Sequence, residues 1–91
     1  MTQHAQHIVF HGRVQGVGFR FTAMNIASRC ELTGYVKNRH DGAVEMLAQG
    51  SKEDISDCVR DIKESFAGYI RDVEIKDVAF DSRYENFKIS F

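Results

Sequence analysis

Two glycines and an arginine lie close together in the segment 15–20, which has the sequence Gln-Gly-Val-Gly-Phe-Arg. Gly16 and Gly18 can adopt backbone angles that are closed to other residues, so consecutive N–H groups can turn inward around an anion. The guanidinium of Arg20 can form paired hydrogen bonds to two phosphate oxygens. The segment therefore predicts a phosphate site, although the same residues taken alone also fit a tight glycine turn beside a surface arginine.

The segment matches neither of the common nucleotide-binding loops. No Gly-Lys-Ser/Thr follows it, as a Walker A loop requires, and the third glycine and downstream acid of a dinucleotide-binding fingerprint are missing. Nucleotide binding therefore has no support from these residues.

Metal-binding and redox residues lack the spacing that such sites need. Cys30 and Cys58 do not form a Cys-x-x-Cys motif, which argues against a zinc site, a disulfide framework and a redox pair. We interpret both as small buried side chains and expect no cofactor. The histidines share no convincing ligand spacing with an acidic residue or a cysteine, so we expect no metal at His4, His7, His11 or His40.

The composition predicts a single globular domain over residues 1–91, because a chain of 91 residues supports one hydrophobic core. Hydrophobic residues make up 43% of the chain and charged residues 27%, values typical of a globular protein. Residues 1–40 carry a net charge of +4 and residues 41–91 a net charge of −5, which favours one small anion over a nucleic acid. Without an apolar span or a signal peptide, we expect no membrane association and a cytoplasmic monomer.

Hydrophobic periodicity predicts the elements that hold the glycine segment. Alternation predicts a strand over 6–12, directly before the segment, and helical spacing predicts a helix over about 21–30, with Thr22 available near its start. Strands over 34–38 and 43–48 flank the sequence Arg-His-Asp-Gly at 39–42, which is a hairpin signal. In this turn we expect Asp41 to take a left-handed conformation.

The second half of the chain completes an α+β fold. Ser51 caps a helix, Gly68 is placed to end it, and its apolar face comprises Ile55, Cys58, Val59, Ile62 and Phe66. Alternation predicts a fourth strand around Val73 and Ile75 and a short fifth one containing Phe87, Ile89 and Phe91. The order βαββαβ plus a final strand predicts the split βαβ plan, an antiparallel sheet with two helices on one face.

Three blocks of the chain resemble the acylphosphatase family in order and approximate spacing. They are Gly-Arg-Val-Gln-Gly-Val-Gly-Phe-Arg at 12–20, Gly-Tyr-Val-Lys-Asn at 34–38 and Asp-Gly-Ala-Val-Glu at 41–45. The resemblance spans essentially the whole chain and implies a ferredoxin-like sandwich that hydrolyses small acyl phosphates without metal, with inorganic phosphate as product and competitor. It implies that Arg20 binds the phosphate, that Asn38 orients the attacking water, and that the phosphate cradle is formed by the amides of Gln15, Gly16, Val17, Gly18, Phe19 and Arg20.

The chain departs from the family pattern outside these positions. Such sequences usually have a glycine where this chain has Glu31, just past the first helix. A left-handed helix cap is therefore less favourable here, because Glu31 has a Cβ and glycine does not. The sequence Gly-Tyr-Ile at 68–70 replaces a proline-containing turn after the second helix.

Few residues suffice for this reaction. An acyl phosphate leaves as a carboxylate, whose conjugate acid has a pKa of about 4, so departure at neutral pH needs no general acid. Phosphoryl transfer depends mainly on positioning and on electrostatic stabilisation. Asn38 does not titrate, but its amide can accept a hydrogen bond from water and donate one to a phosphoryl oxygen.

Other functions of the same fold remain as alternatives. A non-catalytic module could hold an acyl phosphate or carbamoyl phosphate without hydrolysing it, although the presence of both Arg20 and Asn38 favours the enzyme. An RNA-recognition domain stacks bases on aromatic residues of its central strands, and the predicted strand 43–48 has none. A ferredoxin-like metal carrier would need paired cysteines in its first loop, which are missing.

Overall fold

Five strands and two helices follow one another in the computed structural model, which describes residues 3–91. Their order is β1 (His4–Gly12), α1 (Phe19–Arg29), β2 (Thr33–Asn38), β3 (Val44–Gly50), α2 (Lys52–Ser65), β4 (Ile70–Val78) and β5 (Phe87–Ile89). The strands form one sheet in the order β4-β1-β3-β2-β5. The predicted α+β fold, βαββαβ with a short final strand, is confirmed.

The sheet is antiparallel except at one edge. β1 pairs antiparallel with both β3 and β4, and β2 pairs antiparallel with β3. β5 runs parallel to β2, because the segment after β4 carries the chain from one edge of the sheet to the other. The buried side chain of Gln49 holds this crossing segment by donating to the Asp81 carbonyl at 2.9 Å and accepting from the Asp81 N–H at 2.7 Å.

Both helices contribute to one core on a single face of the sheet. Alternate residues of the strands, including Ile8, Phe10 and Met46, are fully buried against them. The Phe19 ring lies between Phe10 and Phe66, with centroids 5.1 Å and 4.6 Å away. Since Phe19 is the first residue of α1, this packing fixes the point where the loop after β1 enters the helix. The predicted apolar face of α2 is buried at every position: Ile55, Cys58, Val59, Ile62 and Phe66.

Two helix ends differ from the sequence prediction. α1 begins at Phe19, two residues earlier than expected, so Thr22 lies inside the helix. α2 is capped by Ser51 as predicted, with the hydroxyl accepting from the Asp54 N–H at 3.1 Å, but it ends at Ser65. The Phe66 carbonyl accepts hydrogen bonds from the N–H groups of Tyr69 and Ile70. The helix therefore ends before Gly68, which the sequence had placed at its end.

Three apolar side chains are more exposed than the patterns indicate. Phe91 lies beyond β5 and is 96% exposed, so the predicted alternation of the last strand applies only to Phe87 and Ile89. Ile75 lies on the edge strand β4 and is half exposed. Cys58 is buried, and burial raises the pKa of its thiol to about 12, whereas Cys30 is only partly buried. Among residues 3–91 no helix has the length and apolar character needed to span a membrane.

Candidate active site

The loop between β1 and α1 takes its shape from two glycines. Val14 is fully buried and anchors the loop in the core. Gly16 has a φ of 79° and Gly18 a φ of 77°, values in the left-handed region that other residues rarely adopt. Gly18 is the N-cap of α1 and provides no side chain to satisfy the first turn. The amides at the start of the helix therefore have no side-chain cap.

These amides form a row of available hydrogen-bond donors. The first helical hydrogen bond runs from the Thr22 N–H to the Gly18 carbonyl at 3.2 Å. Within the described chain, no N–H group of residues 15–21 donates to a backbone carbonyl. The partial positive charge of a helix N-terminus adds to these free donors. Such an arrangement favours an anion at this position.

A cavity of about 200 Å³ opens at this loop and is called here the loop cavity. Arg20 reaches it from the first turn of α1, and Asn38 reaches it from the end of β2. The structure thus brings together the arginine, the asparagine and the glycine loop that the sequence singled out. The full lining is Val14, Gly16, Gly18, Phe19, Arg20, Phe21 and Asn38. Of the predicted cradle residues, Gln15 and Val17 do not line it.

Arg20 is partly buried and carries an uncompensated charge. Its guanidinium carbon lies 5.1 Å from the centroid of the Phe91 ring, a cation–π contact that the sequence did not indicate. No carboxylate within residues 3–91 forms an ion pair with it. The guanidinium is therefore available to an anionic ligand.

Asn38 is an exposed residue immediately before a tightly bonded turn. The Arg39 N–H donates to the Ala43 carbonyl at 2.8 Å and closes the turn. The Asp41 carboxylate accepts from the Ala43 N–H at 3.1 Å and lies 3.0 Å from the Arg39 guanidinium. The hydrogen bond from Ala43 and the charge of Arg39 lower the pKa of Asp41. The prediction of a left-handed Asp41 is wrong, because Gly42 takes the positive φ, at 91°.

The side chain of Gln15 reaches this turn from the glycine loop. Its Nε2 donates to the Arg39 carbonyl at 2.8 Å and to the Ala43 carbonyl at 2.9 Å. Sequence reasoning considered only the backbone amide of this residue and missed the role of its side chain.

A second cavity, of about 600 Å³, borders Asn38 on the side of the hairpin. It is lined by Lys37, Asn38, Arg39, His40, Asp41, Glu45 and Phe91. Asn38 therefore lies between two cavities. Within the described chain, no group of three or more His, Cys, Asp or Glu side chains is arranged to hold a metal ion.

Known proteins of one family resemble this chain over nearly its whole length. The family model for acylphosphatase matches residues 6–89. An acylphosphatase of Picrophilus torridus is 40% identical over 83 residues, which cover 91% of this chain and 98% of the relative. The crystal structure of acylphosphatase from Bacillus subtilis superposes with a TM-score of 0.89 at 33% identity, covering 99% of this chain and all of that one. Full-length HypF, solved in a phosphate- and nucleotide-bound form, matches with a TM-score of 0.86 at 31% identity, over 99% of this chain and 12% of HypF. The chain belongs to the acylphosphatase family.

Proposed function

We propose that this enzyme holds the phosphate group of an acyl phosphate in the loop cavity and hydrolyses it with a water molecule oriented by Asn38, without a metal ion. The observation that carries the proposal is the shared lining of one cavity by free loop amides, Arg20 and Asn38.

Phosphate binding follows from the donors around the loop cavity. The amides of the loop and of the first turn of α1 supply N–H groups, and Arg20 supplies a guanidinium with no carboxylate partner in the described chain. Hydrogen bonds from charged donors to phosphate are about twice as strong as neutral ones. The same donors stabilise the charge on the equatorial oxygens during transfer, so inorganic phosphate is expected to bind as a competitor.

Asn38 serves the attacking water. Its carbonyl oxygen accepts a hydrogen bond from the water, and its NH₂ group donates to a phosphoryl oxygen. The water oxygen forms a bond to phosphorus while the bond from phosphorus to the acyl oxygen breaks. The electron pair of that bond leaves on the carboxylate, and the water proton passes to the phosphate product or to solvent.

The test is release of inorganic phosphate from benzoyl phosphate at neutral pH in excess chelator, with a phosphate monoester as the control substrate. We expect Arg20→Ala to abolish turnover and phosphate competition, because it removes the charged donor. We expect Asn38→Ala to lower kcat by roughly 100-fold with phosphate competition largely kept, because the loop amides and Arg20 still bind the phosphate.

The matched control for Arg20 is Arg60→Ala, which removes an exposed arginine of α2 that pairs with Asp57. We expect this variant to turn over like the wild type. Wild-type turnover of Arg20→Ala or of Asn38→Ala would contradict the role proposed for that residue, and loss of activity on chelation would show that a metal is required.

The second candidate is a module that binds an acyl phosphate or carbamoyl phosphate without cleaving it. It is favoured by the match to HypF, in which the similar region makes up 12% of a larger chain. Competitive phosphate binding with no release of phosphate from benzoyl phosphate would support this module over the enzyme.

A further inference from the structure

A single side chain joins the glycine loop to the turn that follows Asn38. The loop follows β1, and Asn38 is the last residue of β2. In the sheet, β3 lies between β1 and β2, so the two parts of the site are roughly 10 Å apart in the sheet and share no backbone ladder. The two hydrogen bonds of Gln15 are the only ones that the described residues provide between loop 13–18 and the segment 38–43.

These two hydrogen bonds engage both N–H donors of the Gln15 side chain. A glutamine NH₂ group has two N–H donors, and both are used, one toward each end of the turn at 2.8 Å and 2.9 Å. The first acceptor is the carbonyl of Arg39, the residue directly after Asn38. The side chain thus ties the turn on the C-terminal side of Asn38 to the loop that lines the cavity.

The turn does not need Gln15 in order to close. The Ala43 carbonyl also accepts from the Arg39 N–H, and the Arg39 carbonyl also accepts from the Gly42 N–H at 3.3 Å. Each carbonyl therefore keeps one partner when the Gln15 amide is removed. What is lost is the connection between the turn and the loop.

We infer that Gln15 is a positioning residue that fixes the distance between the bound phosphate and the water held by Asn38; this inference rests on the function proposed above. Attack on phosphorus requires the water in line with the breaking bond, and a misplacement of about 1 Å can lower a rate by roughly 100-fold. Because Gln15 fixes the position of Asn38 relative to the glycine loop and does not bind the phosphate through its side chain, its loss lowers kcat and leaves phosphate binding at the loop unchanged.

The test compares Gln15→Met, which keeps the length of the side chain without its donors, with the wild type on benzoyl phosphate. We expect kcat to fall by about 10- to 100-fold, with KM and the inhibition constant of inorganic phosphate within about threefold. Gln6→Met is the matched control, since Gln6 lies on β1 and donates at 3.1 Å to Asp77, away from the loop cavity. Gln15→Leu replaces Gln15→Met if thermal unfolding shows that the methionine variant is not folded.

A double-mutant cycle separates positioning from a general loss of structure. If Gln15 acts through Asn38, the substitution Gln15→Met lowers kcat much less in an Asn38→Ala background than in the wild type. An equal fall in both backgrounds, or a loss of phosphate affinity in place of kcat, would overturn the inference. If Asn38→Ala itself keeps full turnover, the water-orienting role proposed above for Asn38 is wrong. If Asn38→Ala is slow but Gln15→Met is fully active, only the role inferred for Gln15 is wrong.

Discussion

The end of α1 contains a glutamate in a conformation that suits glycine. The helix ends in a Schellman motif, with the Leu32 N–H donating to the Ala27 carbonyl at 3.0 Å and the Glu31 N–H donating to the Ser28 carbonyl at 3.1 Å. Glu31 has a φ of 59° and is the only residue other than glycine with a positive φ among residues 3–91. We therefore expect Glu31→Gly to stabilise the protein.

The expected increase in the free energy of unfolding is the balance of three effects, two of which favour glycine at this position and one of which opposes it. A left-handed conformation costs an L-residue about 1–2 kcal/mol. Removing this cost stabilises the folded state, but glycine also raises the conformational entropy of the unfolded chain, which lowers the free energy of unfolding by about 0.4–1 kcal/mol. Removing a carboxylate from the negative end of the helix adds about 0.3 kcal/mol. The free energy of unfolding therefore rises by about 1 kcal/mol, which corresponds to an increase in Tm of about 4–8 °C for a chain of this size.

Thermal unfolding of Glu31→Gly and Glu31→Gln measures this difference. Glu31→Gln removes the charge but keeps the side chain in the left-handed conformation, so we expect it to shift Tm by less than about 2 °C. Turnover of benzoyl phosphate should not change in either variant, because Glu31 does not line the loop cavity. The reasoning is refuted if Glu31→Gly fails to raise Tm, or if Glu31→Gln raises it equally.

Two further predictions concern the loop and the open face of the sheet. Gly18→Ala places a side chain at a φ of 77° with no atom within 4 Å of the added Cβ. The left-handed conformation costs about 1–2 kcal/mol, and the lower entropy of alanine in the unfolded chain offsets about 0.4–1 kcal/mol, so we expect a net loss of stability of about 1 kcal/mol. We also expect weaker phosphate competition; unchanged Tm and phosphate inhibition would contradict this. Burial raises the pKa of Glu45, but hydrogen bonds from His7 and Tyr35 outweigh burial, so that the pKa is lowered overall. The ionised Glu45 carboxylate therefore stabilises the fold above pH 4.5, the usual pKa, and this stabilisation is lost as the pH falls through the lowered pKa. The free energy of unfolding in urea, measured from pH 7 to 3, should therefore be higher for the wild type than for Glu45→Gln at pH 7, and the difference should disappear at low pH. A difference that grows as the pH falls would contradict this prediction.

The order of the elements could be predicted because each one buries a periodic face. The apolar face of α2 and its Ser51 cap are local patterns, and both are present as expected. The start of α1 was missed by two residues because its N-cap is a glycine, which has no side chain to mark the position. The contact between Arg20 and Phe91 had no signal either, since Phe91 lies outside the last strand.

The types of the site residues could be predicted, but the geometry between them could not. The blocks 12–20 and 34–38 specify a cradle with an arginine and an asparagine at a strand end, yet the distance between them depends on β3 lying between β1 and β2. Strand order is a tertiary property that periodicity within each strand does not contain. Gln15 reaches carbonyls 24 and 28 residues later in the chain, where no local spacing rule applies. The side chain that joins the two halves of the site is therefore visible only once the sheet is assembled.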